Sequence, residues 1–137
     1  MKTWSVYILR SVKAGKQPRS TYTGQTGRSV FTRLREHNNG TGAKTTKSMR
    51  PLEVFAYAGN IPDESTACRL EKAVKKQTIS LQAGKSLSPA QKKCAGMAKV
   101  LARKEWMDLD LEVYVFGEFP KGMWPEGLRR VEHPRRS

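Results

Sequence analysis

The sequence is poor in cysteine and histidine, and it has no long apolar run. Its 137 residues include two cysteines, Cys68 and Cys94, and two histidines. These are too few for a zinc finger, which needs four ligands at fixed spacings. Both cysteines lie in apolar helical patterns, which predicts buried thiols. Nothing resembles a signal peptide, and no apolar run approaches the ~20 residues of a membrane span. We therefore expect an intracellular protein without membrane contact, in the cytoplasm and nucleoid or, if eukaryotic, the nucleus.

Acidic residues are also scarce. The chain has 12 Asp and Glu against 26 Lys and Arg, a formal net charge of +14 and a pI near 10.2. Residues 1–40 alone carry eight basic residues and one acidic residue. Such a charge repels itself in a compact state, so it indicates a polyanionic partner. Nucleic acid is the first candidate because neutralised phosphates release counterions. A membrane surface is second, and a basic proteome or a need for solubility is the alternative without a partner.

Two strands and a helix are predicted in the first third. Residues 3–11 alternate, with Tyr7 on the face opposite Val6 and Ile8, as in a strand. Residues 13–20 contain Gly and Pro, which favours a hairpin loop, and residues 20–26 are β-prone. A helix follows over residues 30–39, with Ser29 as its N-cap, and residues 38–51 are predicted as a loop.

The rest of the chain alternates between strand and helix patterns. The pattern predicts strands over 51–59 and 110–119 and helices over 62–79 and from Ser88 to about Trp106, with a break at Gly84. On the first strand, Leu52, Val54, Ala56 and Ala58 are expected to share one face. We predict an α+β fold: a small, mainly antiparallel three-stranded sheet flanked by helices, with an extra C-terminal helix and strand.

Several short segments together resemble the GIY-YIG nuclease domain. They are SVY at 5–7, YTG at 22–24, RLREHN at 33–38, GTGAKTT at 40–46, RPLEV at 50–54, ACRLEKAVKK at 67–76 and LSPAQK at 87–92. The tripeptides SVY and YTG occur in this order, and a predicted helix directly follows YTG. Together these features are more specific evidence for the resemblance than either tripeptide alone. Ser5 and Thr23 depart from the name-giving residues. The resemblance is greatest to the small single-domain bacterial members and to the catalytic subunit of the eukaryotic structure-specific endonuclease.

This resemblance, which covers about residues 4–94, implies a nuclease core at residues 1–94. Residues 95–137 lie outside it and are expected to add a helix, a strand and a basic tail to the same domain. The resemblance implies phosphodiester hydrolysis with a single divalent ion, Mg²⁺ or Mn²⁺. Glu71 is similar to the family's metal-binding carboxylate, and Arg33 to a cation that faces the scissile phosphate. Tyr7 and Tyr22 are similar to the hydroxyls that position and deprotonate the attacking water, which would require a lowered tyrosine pKa. His37 would polarise Tyr22 or bind phosphate.

Contacts with the DNA backbone are expected from basic and hydroxyl residues near this set. They are Lys13, Lys16 and Arg19 of the hairpin loop, Arg35 of the helix, and Lys44, Thr45, Thr46 and Lys47 of the following loop.

Two other hypotheses stay open beside a structure-selective DNA endonuclease. A nucleic-acid-binding module with weak or no catalysis uses the same charge without the tyrosines. A partner-dependent nuclease subunit would dock a second protein, or a second copy, through Tyr114, Phe119 and Trp124.

Overall fold

The structure, a computed structural model, describes residues 2–12, 21–77, 79 and 86–132. Five strands form one sheet in the order β2-β1-β3-β4-β5. They are β1 (Trp4–Ser11), β2 (Thr21–Thr26), β3 (Leu52–Ile61), β4 (Glu112–Val115) and β5 (Arg130–Glu132). Neighbouring strands are antiparallel except β4 and β5, which are parallel. The predicted α+β class is confirmed, and the C-terminal strand joins the same sheet.

Four α-helices flank the sheet: α1 (Val30–Asn39), α2 (Glu64–Lys76), α3 (Pro89–Leu101) and α4 (Lys104–Met107). Two 3₁₀ helices, Lys44–Met49 and Lys121–Met123, lie in the connections. The cap residues explain where the helices begin. Ser29 accepts a hydrogen bond from the backbone of Phe31, and Asp63 accepts one from Thr66. Ser88, where the last helix is predicted to start, forms a capping box with Gln91.

Both faces of β1 are buried, and the alternation of its side chains puts Tyr7 on the side of the sheet that α1 covers. Val6 and Ile8 pack with residues of α2 and α3, whereas Tyr7 and Leu9 pack on the opposite side with Val30 of α1. The alternation that the sequence predicts for this strand is therefore confirmed. Within the described residues no helix combines the length and the apolar character needed to cross a bilayer.

Strand β3 changes face along its length, contrary to the expectation of one continuous apolar side. Leu52 and Val54 pack with the Tyr7 cluster, whereas Ala56 and Ala58 pack with the Val6 cluster. The cause is a bulge, because Ile8 pairs with Ala56 while Leu9 pairs with Val54. The extra residue of a bulge shifts the alternation by one position.

Other boundaries differ where tertiary contacts decide. Helix α3 ends at Leu101 rather than near Trp106, because the extended backbone of Arg103 interrupts it before α4. This turn brings Trp106 back into the core. The predicted loop at 38–51 contains the first 3₁₀ helix, and the strand predicted at 110–119 is limited to β4. The short β5 lies in the tail, where no strand was predicted.

The predicted hairpin loop at 13–20 and the helix break at Gly84 lie outside the described residues. The division between residues 94 and 95 stays a prediction.

Candidate active site

Tyr7 and Tyr22 lie on neighbouring strands at the edge of the sheet. Tyr7 pairs with Gly24 across the strands, and Tyr22 pairs with Leu9. The ring centroids of the two tyrosines are 6.4 Å apart. Tyr7 is 1% exposed, because its ring leans over β2. A Cβ atom on Gly24 would lie 2.6 Å from the Tyr7 hydroxyl and 2.9 Å from the Tyr22 ring. Because Gly24 has no side chain, the Tyr7 and Tyr22 rings can both pack close to it.

His37 joins the tyrosines from α1, where it is fully buried. Its Nε2 lies 3.0 Å from the Tyr7 hydroxyl and its Nδ1 lies 2.9 Å from Thr46 Oγ1. The Thr46 hydroxyl donates to the carbonyl of Ala43 at 2.8 Å, so its oxygen must accept from His37 Nδ1–H. His37 Nε2 is then an acceptor, and the Tyr7 hydroxyl donates to it. Burial, followed by the nearby Arg33 charge, lowers the pKa of His37, which favours the neutral ring that this network needs.

Thr46 is the point at which the structure corrects the expected DNA contacts. The sequence analysis places Thr46 against the DNA backbone, but the residue is 0% exposed and holds His37. Gly42 supports the same arrangement, since a Cβ atom there would lie 2.8 Å from His37 Nδ1. The sequence analysis did not assign Gly24, Gly42 or a structural role for Thr46. The quoted segments YTG and GTGAKTT contain all three, but spacing alone does not show which of these residues touch the ring.

Arg33 lies one helical turn before His37 and close to the Tyr7 hydroxyl. Its hydrogen bond to Glu36, with a smaller contribution from Tyr7, raises the pKa of Arg33, and Arg33 in turn opposes the rise in the pKa of Tyr7. Its guanidinium also pairs with Glu36 at 2.8 Å. Glu36 also forms an ion pair with Arg28 at 2.7 Å. Hydrogen bonds from Arg28, which has the larger effect, and from Arg33 lower the pKa of Glu36 to about 2. Glu36 therefore stays ionised at neutral pH and orients Arg33. The sequence analysis did not identify this carboxylate.

Glu71 reaches the site from α2. Its neighbours Leu70 and Val74 are fully buried, whereas the Glu71 side chain is 21% exposed and pairs with Lys75 at 2.6 Å. Its carboxylate is close enough to Tyr7 to raise the pKa of that phenol. Residues from β2, α1 and α2, namely Tyr22, Arg33 and Glu71, therefore act electrostatically on the Tyr7 phenol.

Tyr7 itself differs from the expected base. Burial is the main cause that raises its pKa to about 12, and the charges of Tyr22 and Glu71 add to the rise while Arg33 opposes it. Tyr7 is consequently protonated at neutral pH and donates a hydrogen bond. The protein groups alone do not give Tyr7 the lowered pKa that a tyrosine base requires.

A divalent ion at Glu71 is compatible with the donors present. Among the described residues no group of three or more His, Cys, Asp and Glu side chains gathers, but Mg²⁺ commonly binds through one or two carboxylates and keeps its waters. Glu71 offers a hard, partly exposed oxygen donor near the Tyr7 phenol. Holding the ion would require the Lys75 ammonium to move from the carboxylate.

The residues expected to bind DNA are spread around this centre. Arg35 of α1 and Lys44, Thr45 and Lys47 of the first 3₁₀ helix are exposed. They stay predictions as phosphate contacts. Lys13, Lys16 and Arg19 lie outside the described residues.

The tail aromatics of the partner hypothesis make contacts within the chain, while Tyr114 and Trp124 are also partly exposed, so docking of a partner stays a prediction. Phe119 is buried and contacts Trp124, with ring centroids 5.6 Å apart. The Trp124 indole donates to the carbonyl of Leu128. Tyr114 stacks on Tyr57 at 4.7 Å. These rings are used within the chain, so they do not themselves indicate a protein partner.

Two groups of relatives resemble the first part of the chain. A UPF0213 protein in the VLF1-GP41 intergenic region of Autographa californica nuclear polyhedrosis virus is 34% identical over 76 residues, which cover 56% of this chain and 67% of the viral protein. The UPF0213 protein YhbQ of Salmonella typhimurium and that of Salmonella typhi are each 33% identical over 78 residues, 57% of this chain and 71% of theirs. Residues 3–84 match the GIY-YIG catalytic domain, and the protein therefore belongs to the GIY-YIG family, an endonuclease family whose domain implies a DNA substrate.

Proposed function

We propose that this protein is a metal-dependent DNA endonuclease that hydrolyses phosphodiester bonds inside the cell, with a preference for branched, flapped or nicked DNA. The observation that carries the proposal is the convergence of Tyr7, His37, Arg33 and Glu71 at one edge of the sheet. The preference for branched DNA follows the resemblance to the structure-specific branch of the family.

The chemistry needs an aimed water and a cation for the developing negative charge. Tyr7 and Tyr22 offer two phenols with ring centroids 6.4 Å apart, and His37 orients Tyr7 by accepting its hydrogen bond. Arg33 is a fixed cation beside the same hydroxyl, with Glu36 holding its guanidinium. It is suited to neutralise the phosphate in the transition state.

Glu71 would hold the divalent ion that GIY-YIG nucleases generally use. When bound, such an ion would supply positive charge for the transition state and a lower pKa for water. In the absence of the ion, Lys75 holds the carboxylate in place through their ion pair.

The test is cleavage by Glu71→Gln, which removes one charge with little change in volume. Labelled flap, splayed-arm, four-way-junction and plain duplex DNA should be cut by the wild type with Mg²⁺ or Mn²⁺ and not with EDTA. We expect the variant to lose at least about 10²-fold in rate, comparable to the loss of one transition-state donor, while it still binds DNA. Glu105→Gln, at an exposed position on α4, is the matched control. Cleavage by Glu71→Gln at the wild-type rate would show that the assignment of this carboxylate is wrong.

A nucleic-acid-binding module without turnover is the second candidate. The protonated Tyr7 and the Glu71–Lys75 ion pair favour it, because both leave the site without an evident base. This candidate predicts salt-dependent DNA binding that is the same with Mg²⁺ or EDTA and no cut strand in any of the four substrates.

A further inference from the structure

A second cationic surface lies on α2, away from the candidate active site. A cleft of about 480 Å³ is lined by Arg69, Lys72, Ala73, Lys76, Gln77 and Arg103. At 100° per residue, Lys72, Lys76 and Arg69 lie about 100°, 140° and 160° around the helix from Glu71. The cleft, called the α2 groove below, therefore opens on a different side of α2 from the carboxylate.

The cations of the α2 groove take no part in the ion pairs found among the described residues. Within the part of the chain that the structure describes, ion pairs occupy Arg10, Arg28, Arg33, Lys75, Lys104 and Arg129. None of these pairs includes a groove cation. The segments outside the described ranges contain no aspartate or glutamate. Among the side chains that the structure describes, the groove thus keeps its positive charge, whereas Arg33 shares its charge with Glu36.

Neutral partners hold the two guanidiniums of the groove in place. Arg69 lies over the Trp106 ring, 5.3 Å from its centroid, and Arg103 donates to the side-chain oxygen of Gln77 at 2.8 Å. Arg69 acts on Asp63 through space, but the Asp63 carboxylate is hydrogen-bonded to Thr66 as the cap of α2. Because these arginines are already ordered, binding an anion would cost less side-chain entropy than it would with free side chains.

A groove with four cations and no carboxylate in its lining fits a chain of phosphates. We infer that the α2 groove binds the phosphodiester backbone of a second segment of the DNA substrate, one that the catalytic site does not hold. This inference rests on the proposed function for the identity of the polyanion. It also supplies a physical reason for a preference for branched DNA, since two differently directed DNA segments could be held at once.

The test uses Lys72→Gln/Lys76→Gln, which removes two exposed charges and leaves the ordered arginines in place. DNA binding is measured in EDTA by fluorescence anisotropy at several salt concentrations. The two ligands are a splayed-arm DNA and a linear duplex with the sequence of its stem. Each lost phosphate contact lowers the slope of log K against log salt by about 0.9, so we expect a decrease of about 1.8 for the splayed-arm DNA. The linear duplex should show a smaller change.

The control is Lys92→Gln/Lys99→Gln, which removes the same charge from exposed positions of α3. The inference is wrong if the groove variant and the control change the slope equally, or if the groove variant loses binding to phosphatidylserine vesicles but not to DNA. Because binding is measured without metal, this result is independent of turnover. A wild type that binds through the groove but cuts none of the four substrates would instead contradict the proposed function.

Discussion

Tyr7 is joined to His37, Thr46 and the Ala43 carbonyl by a continuous series of hydrogen bonds. Each donor in this series has one acceptor, which fixes both the histidine tautomer and the direction of the tyrosine hydroxyl. The arrangement requires neutral groups at both rings. Burial provides them, since it raises the pKa of Tyr7 and lowers that of His37.

Gly24→Ala tests whether the close approach of the phenols matters. A Cβ atom would overlap with the Tyr7 hydroxyl and its ring carbon, at 2.6 and 2.7 Å, so Tyr7 must move away from His37. Displacement of a catalytic group by about 1 Å can lower a rate by about 10²-fold. We expect the single-turnover cleavage rate of the variant to fall by about that factor. Its circular dichroism spectrum should match that of the wild type, which shows that the variant is folded.

The control for this substitution is Gly122→Ala, at a glycine with no atom within 4 Å of the added Cβ. Equal cleavage rates for the two variants and the wild type would show that the contact between Gly24 and the phenols does not position them.

His37 gives stability a defined dependence on pH. Its folded pKa lies below the ordinary value of 6.5, so below pH ~6.5 the unfolded chain binds more protons than the folded one. The free energy of unfolding should therefore decrease as the pH falls from about 7.5 to about 5.5. Urea midpoints at the two pH values measure the decrease, and His37→Gln should reduce it.

Glu36 does not obscure this window. Its pKa is held near 2 in the folded protein, against 4.5 as its ordinary value, so its contribution is lost only at more acidic pH. An equal pH dependence in the wild type and His37→Gln would show that His37 is not the titrating group.

The helices begin where the sequence predicts because their caps are local. Ser29, Asp63 and Ser88 each bind a backbone amide two or three residues ahead, and no distant residue is needed. The end of α3, the first 3₁₀ helix and β5 were missed because packing decides them. The β5 strand, for example, is only three residues long and exists through its parallel pairing with β4.

Ser88→Ala tests the capping box of α3. The substitution removes the hydroxyl that accepts a hydrogen bond from the backbone N–H of Gln91. The side-chain amide of Gln91 donates to the Glu118 carbonyl, which connects the start of α3 to the segment after β4. Loss of an N-cap serine typically costs about 1 kcal/mol, which should lower Tm by a few degrees in thermal unfolding.

Ser65→Ala is the comparison, since Ser65 is an exposed serine within the first turn of α2 and does not cap that helix. It should leave Tm nearly unchanged. A larger effect of Ser65→Ala than of Ser88→Ala would contradict the observed caps.

The whole molecule carries its positive charge unevenly. Carboxylates neutralise the cations around α1 and the sheet, whereas the α2 groove and the exposed lysines of the first 3₁₀ helix keep theirs within the described residues. This distribution would offer DNA two separate cationic surfaces rather than a uniform field.

The affinity for DNA should therefore fall steeply with salt. If about six phosphates are contacted, log K should fall with log salt at a slope near −5, since each contact contributes about −0.9. Anisotropy titrations from about 50 to 200 mM salt measure this slope. A slope near zero would mean that the +14 charge does not serve nucleic-acid binding.

The fold class and the family follow from the sequence, because alternation, caps and ordered motifs are local properties of the chain, and the same motifs predict Tyr7, Arg33, His37 and Glu71 as site residues. Tertiary packing, by contrast, is the reason that Thr46 and Gly42 support His37, that Gly24 admits the phenols, and that Glu36 holds Arg33. It also decided that burial keeps Tyr7 protonated. These facts depend on distances between residues far apart in the chain and on desolvation, which spacing along a sequence does not encode.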